Sequence, residues 1–72
     1  MNLHAYLTKH DGKPRPDGSE LIRLAAACGK STFYLCLTAL GHKRVSDATA
    51  LAMQAASIGG ELSAAQVNKP HP

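Results

Sequence analysis

The sequence predicts an all-α protein of four to five short helices. Three observations carry this. Apolar residues recur at i, i+3, i+4 and i+7, as in Leu21, Leu24, Ala25 and Cys28, which is the period of a helix rather than the alternation of a strand. Alanine, the best helix former, is abundant, while β-branched residues are few, Phe occurs once and Trp not at all. Glycine and serine punctuate the chain where helices stop and start: Gly29 then Ser31, Gly41 then Ser46, Gly59-Gly60 then Ser63.

The first helix is expected over Met1 to His10, with Leu3, Leu7 and His10 on one face and Tyr6 beside them. The segment "DGKPRPDG", residues 11–18, breaks it, because Pro lacks a donor and Gly favours turns. This segment reads as a connector, with a basic arm through Lys13 and Arg15 as the other possibility. Asp17 is placed to cap the second helix, with Glu20 three residues on as in a capping box. Its buried stripe runs Leu21, Leu24, Ala25, Cys28, and Gly29 ends it. Ser31 caps a third helix that runs to Leu40 and closes at Gly41. Ser46 caps a fourth, with Asp47 in the first turn, where an acid suits the helix dipole. Ala48, Leu51, Ala52 and Ala55 are its expected buried stripe. "LSAAQV" reads as one last turn capped by Ser63. Residues 1–67 form a single domain on this reading, and 68–72 a frayed tail.

A chain of 72 residues is one small domain, which buries a modest fraction of its surface. The formal charge is +3, from eight Lys and Arg against five Asp and Glu. The distribution is more informative than the sum. Between Leu21 and Ser46 stand Arg23, Lys30, Lys43 and Arg44 and no acid. A local positive field is the footprint of a polyanion partner, and equally of a solvated face. Arg23 is expected on solvated surface. Cys28 and Cys36 make no CxxC pair, and His4, His10, His42 and His71 have no metal-ligand spacing. The thiols are therefore expected in or near the core, the imidazoles in solvent, and no metal or other cofactor is implied. No apolar run of about 18 residues predicts a membrane span, and no charged-then-apolar leader is visible. A reduced, cytoplasmic setting is the expectation.

The stretch "ACGKSTF", residues 27–33, ends like a nucleotide-binding P-loop. The P-loop needs a glycine five residues before Gly29, after a strand. Leu24 stands there, inside a helical stripe, so no phosphate nest is built. A helix-turn-helix fits instead. That motif needs a small residue where two helices touch, a Gly-like turn, and apolar inner faces. Ala25, Gly29 and Leu35 supply these, with Leu24 and Cys28 completing the inner face.

"LAAACGKSTFYLCLTALGHKRVSDATALAMQAASIGGELS" resembles the small Cro/C1-type helix-turn-helix regulators of phages and prophages, in particular the YdaS-like group. Leu24-Ala25, Gly29, Ser31, Tyr34-Leu35, Gly41, Lys43-Arg44, Val45, Ala50, Met53, Ala56-Ser57 and Gly59-Gly60 fall into step, with one inserted residue near Ile58. The opening "MNLHAYL" is similar as well. The resemblance implies a lambda-repressor-like DNA-binding fold and a transcriptional regulator, of repressor type, that acts as a homodimer on a palindromic operator in the cytoplasm, at the nucleoid. Helix 31–40 would enter the major groove. Three departures stand out. Lys30 replaces an apolar residue, Thr38 stands where a large apolar anchor is expected, and Cys36 and Leu37 replace polar base-readers.

On this reading Ser31 and Thr32, at a helix N-terminus, hold a phosphate or reach a base edge. Phe33 and Leu37 pack on thymine methyl groups. Lys30, His42, Lys43 and Arg44 hold flanking phosphates, and Cys36 faces the same side. Tyr34 is expected half-buried, its hydroxyl on backbone or phosphate. Phe33, Leu37 and Leu40 lie at i, i+4, i+7 and suit a core or an interface equally. Ile58 to Val67 and the first helix are the candidate dimer surfaces. The rival reading is a toxin–antitoxin component or adaptor that binds protein through the same domain. No nucleophile–base pair or paired carboxylates suggest an enzyme, and no small-molecule ligand is implied.

Overall fold

The computed structural model describes residues 1–69. Four α-helices follow in order: α1, Leu3–Asp11; α2, Ser19–Cys28; α3, Thr32–Ala39; and α4, Asp47–Ala56. A 3-10 turn at Ile58–Gly60 comes next, and a turn-rich segment runs on to Lys69. The described residues contain no strand. α2 is central, packing against α1, α3 and α4. The core gathers Leu3, Tyr6 and Leu7 of α1, Leu21, Leu24 and Ala25 of α2, Leu35, Cys36 and Ala39 of α3, and Ala50 and Met53 of α4. Val45, Leu62 and Val67 close it from the loops.

Each helix starts on an identifiable cap, two of them the serines expected. Ser31 Oγ accepts from the Tyr34 N–H at 3.0 Å, and Ser46 Oγ accepts from Thr49 N–H at 3.2 Å. α1 starts later than expected, at Leu3, because Asn2 Oδ1 accepts from the Ala5 N–H at 2.8 Å. α2 departs more. Its N-cap is Gly18, which has no side chain to offer, and Asp17 is exposed. Asp11, at the end of α1, reaches across the loop instead. Its two carboxylate oxygens accept from Glu20 N–H at 3.0 Å and Leu21 N–H at 3.1 Å. Gly18 leaves room for this carboxylate: a Cβ there would stand 2.3 Å from Asp11 Oδ2.

Glu20 therefore closes no capping box. It is buried, and its carboxylate joins a polar cluster at the junction of α1, α2 and the end of α4. Tyr6 Oη donates to Glu20 Oε2 at 2.5 Å and accepts from the Ile58 N–H at 2.8 Å. Arg23, expected in plain solvent, is half-exposed and forked onto Glu20, with Nε to Oε1 at 2.8 Å and Nη2 to Oε2 at 2.6 Å. Arg23 also donates to the Ala56 carbonyl at 2.6 Å, tying α2 to the last turn of α4. Arg23, Tyr6 and, weakly, His10 hold the Glu20 carboxyl below its ordinary range, against the opposing effect of burial. Burial, then the Glu20 carboxylate, pushes the Tyr6 hydroxyl up, so it remains the donor. The His10 ring packs against Tyr6 at a tilt of 55°, with centroids 4.6 Å apart, and its Nε2 lies 2.9 Å from Glu61 Oε1. Lys9 also pairs with Glu61. His10 is thus no solvent-exposed imidazole.

The buried face of α4 is not the one the alanine stripe suggests. Ala48, Leu51, Ala52 and Ala55 are all exposed, Leu51 to 60 %. Ala50 and Met53 are buried, with Ser57 following them. Apolar residues lie on both faces of this helix, so periodicity alone leaves its rotation open. Packing of α4 against α2 places Ala50 and Met53 inward.

After α4 the chain folds back over the core. Ser57 Oγ donates to the Gln54 carbonyl at 2.7 Å and accepts from Leu62 N–H. Ser63 caps no α-helix; its carbonyl accepts from Gln66 N–H at 2.9 Å in a turn. Leu62 and Val67 are fully buried. Residue 68, expected in the tail, is docked: Asn68 Oδ1 accepts from Val45 N–H at 2.8 Å and Asn68 Nδ2 donates to the Val45 carbonyl at 2.9 Å. Lys69 follows, its N–H donating to the Gln66 carbonyl at 3.0 Å, and residues 70–72 of the expected tail, with His71, lie outside the described residues. No described helix is long and apolar enough to cross a membrane.

Candidate functional site

α2 and α3 meet through the turn Gly29–Ser31. Gly29 adopts the left-handed conformation, φ 72° and ψ 27°, which glycine reaches without a Cβ penalty. The Lys30 N–H then closes the helix end onto the Ala25 carbonyl at 3.0 Å, a Schellman-type bond. Ala25 and Leu35, expected on the inner faces, are both buried in the core. Cys28 is only partly buried.

Most of the expected site residues lie exposed or half-buried on α3 or at its two ends. Lys30 and Ser31 lie exposed at its N-terminus and Thr32 is half-buried in its first turn. Phe33, 64 % exposed, and Leu40, 47 % exposed, stand on the outer face. Leu37 between them is half-buried. His42, Lys43 and Arg44 are exposed in the loop after α3. Tyr34 joins the two ends of the site. The Lys30 ammonium lies 5.8 Å from the Tyr34 ring centroid, within cation–π range. Tyr34 Oη donates to the Arg44 carbonyl at 2.5 Å. The half-buried tyrosine with its hydroxyl on backbone was expected.

Cys36 does not belong with the others. It is 7 % exposed and packed in the core, and burial pushes its thiol up, away from the thiolate. The reason is angular. Leu35, Cys36, Thr38 and Ala39 form the buried arc of α3, and Cys36 falls inside its edge while Phe33 falls outside. Thr38, where a large apolar anchor was expected, is buried too, and its hydroxyl is satisfied by donating to the Tyr34 carbonyl at 2.9 Å.

The electrostatics of this side are simple. The described ion pairs involve Lys9, His10, Arg15 and Arg23 as cations. Lys30, Lys43 and Arg44 are in none of them, and no carboxylate-bearing residue lies between Leu21 and Ser46. The surface therefore presents cations without internal counter-charges around an apolar outer face. The described residues hold no group of three or more His, Cys, Asp or Glu able to hold a metal ion.

The expected dimer surfaces are largely consumed by the monomer. Leu3, Tyr6 and Leu7 of α1 and Leu62 and Val67 of the last segment are core residues, and of the second segment's large apolar side chains Ile58 alone remains exposed. Sequence reasoning also missed Asn68, for which nothing in the local pattern "VNKP" is a signal. No protein-family model, curated protein or solved structure matches the chain.

Proposed function

We propose that the chain is a lambda-repressor-like helix-turn-helix domain that binds duplex DNA, with α2 and α3 as the motif and α3 in the major groove. The observation that carries this reading is the set of exposed, unpaired cations Lys30, Lys43 and Arg44 at the two ends of α3. Cations so placed suit the phosphates flanking a groove, where they position a helix without reading sequence. Ser31, Thr32, Phe33 and Leu37 are the groove-facing residues, Phe33 and Leu37 against thymine methyl groups. Cys36 leaves the set. One such helix covers a few base pairs, so the domain acts as a homodimer on a palindromic operator. The role is a transcriptional regulator of Cro/C1 type, a repressor working in the cytoplasm at the nucleoid, and not an enzyme.

A gel shift on the DNA upstream of the chain's own gene, at two salt concentrations, tests this. Selective binding is expected. Lys43→Ala/Arg44→Ala should flatten the dependence of log K on log salt by about 2, since each phosphate contact contributes roughly 0.9. One observation favours a second reading. The outer face of α3 is apolar, with Phe33 and Leu40 exposed, which suits a protein partner in a toxin–antitoxin pair or adaptor. Binding to such a partner would be insensitive to salt and would require Phe33 rather than Lys43 and Arg44.

A further inference from the structure

The loop His42–Val45 carries much of the unpaired charge, yet it has no helix or strand to hold it. Its backbone is nevertheless fixed at one place from two sides. The peptide unit between Arg44 and Val45 has its carbonyl bonded by Tyr34 Oη at 2.5 Å and its N–H bonded to Asn68 Oδ1 at 2.8 Å. Asn68 Nδ2 then takes the next carbonyl, that of Val45, at 2.9 Å. An asparagine amide both donates and accepts, so it can hold the N–H and C=O of one residue at once. The Val45 side chain is buried beneath. The exposed side chains of Lys43 and Arg44 consequently leave a backbone held at the Arg44–Val45 peptide.

We propose that Asn68 is a positioning residue: with Tyr34 it clamps the Arg44–Val45 peptide and so orders the basic loop for the phosphates of duplex DNA. The inference rests on the DNA-binding reading. Ordering a loop before binding removes part of the conformational cost that association otherwise meets. The device also ties Asn68 to a loop 23 residues earlier in the sequence.

The test compares wild type, Asn68→Ala and Tyr34→Phe in two measurements. In the free protein, amide hydrogen exchange at Val45 should accelerate in Asn68→Ala, with exchange in α1 and α2 unchanged. On operator DNA, both variants should bind about three- to tenfold more weakly, and the salt slope should fall by about 1, as for the loss of one phosphate contact. Should Asn68→Ala fail to fold, Tyr34→Phe carries the same prediction, because it releases the same peptide from the other side. Unchanged Val45 exchange in Asn68→Ala overturns the clamp. Faster exchange with wild-type affinity and slope overturns the positioning role while the DNA-binding reading stands. Wild type that binds no DNA in a salt-dependent way overturns both.

Discussion

Two sides of this domain treat charge in opposite ways. At the junction of α1, α2 and the turn after α4, carboxylates are matched. Glu20 takes Arg23 and Tyr6, Glu61 takes Lys9 and His10, and Asp11 takes two backbone N–H groups. Around α3 the cations Lys30, Lys43 and Arg44 have no carboxylate, and Phe33 and Leu40 are left in solvent. The first side is satisfied within the monomer and contributes stability. The second leaves its charges without counter-charges in the monomer. On the proposed reading, the difference separates residues that hold the fold from residues that meet DNA, although both sets are rich in charge.

Substitutions on the first side should cost stability and spare binding. Glu20→Ala is the largest of these. It leaves the buried Tyr6 hydroxyl without its acceptor and Arg23 without its carboxylate, a loss of about 2–3 kcal/mol. In a domain of this size that lowers the melting temperature by roughly 10–20 °C; calorimetry reads it, and DNA affinity of the folded protein should stay at the wild-type value. The pH dependence follows the same group. The Glu20 carboxyl is held below its ordinary 4.5, by Arg23 first, and Glu61 is held down by Lys9 and then His10. A depressed carboxyl contributes stability above its unfolded pKa and loses it as pH falls through the folded one. Wild-type stability should be level above about pH 5 and decline below it, more steeply than in Glu20→Ala.

Gly18→Ala should have an intermediate effect. The backbone at Gly18, φ −65° and ψ 135°, suits alanine, so only the collision with Asp11 matters. Losing that cap costs about 1 kcal/mol, and Asp11→Ala should cost the same with no further loss in the double variant. The smallest stability effect belongs to the second side. Phe33→Ala, at an exposed site, should shift stability by less than about 0.5 kcal/mol. Its consequence should appear as weakened selectivity between operator and unrelated DNA, read by competition binding. A large loss of stability there would erase the contrast between the two sides.

Much of the architecture was legible because it is written locally. Ser31 and Ser46 cap as their spacing implies, Gly29 turns left-handed where α2 must stop, and Ala25 and Leu35 are both buried as inner residues. What misled was of two kinds. In α3 and α4 apolar residues surround the helix, so Cys36 and the Ala48–Leu51–Ala52–Ala55 stripe had no unique rotation until the neighbouring elements were placed. Elsewhere the deciding partner is distant in sequence. Asp11 caps a helix eight residues on, Arg23 reaches Ala56, and Asn68 reaches Val45. Local periodicity carries no trace of such pairings. The turn Gly29–Ser31 and the adjacent pair Lys43-Arg44 are visible in the sequence for the same reason, while the bonds from Asn68 to Val45 are not.

The Asp11–Gly18 contact has a consequence for how the chain can be altered. It closes residues 12–17 into a loop whose ends are fixed by α1 and by the start of α2, not by the loop's own sequence. Lys13, Arg15, Pro16 and Asp17 are exposed. Closure entropy rises slowly with length, about 0.6 kcal/mol for each doubling. The span between Lys13 and Asp17 is therefore the natural seam of the molecule, where a reporter peptide or an inserted domain can be spliced in while the four helices keep their arrangement.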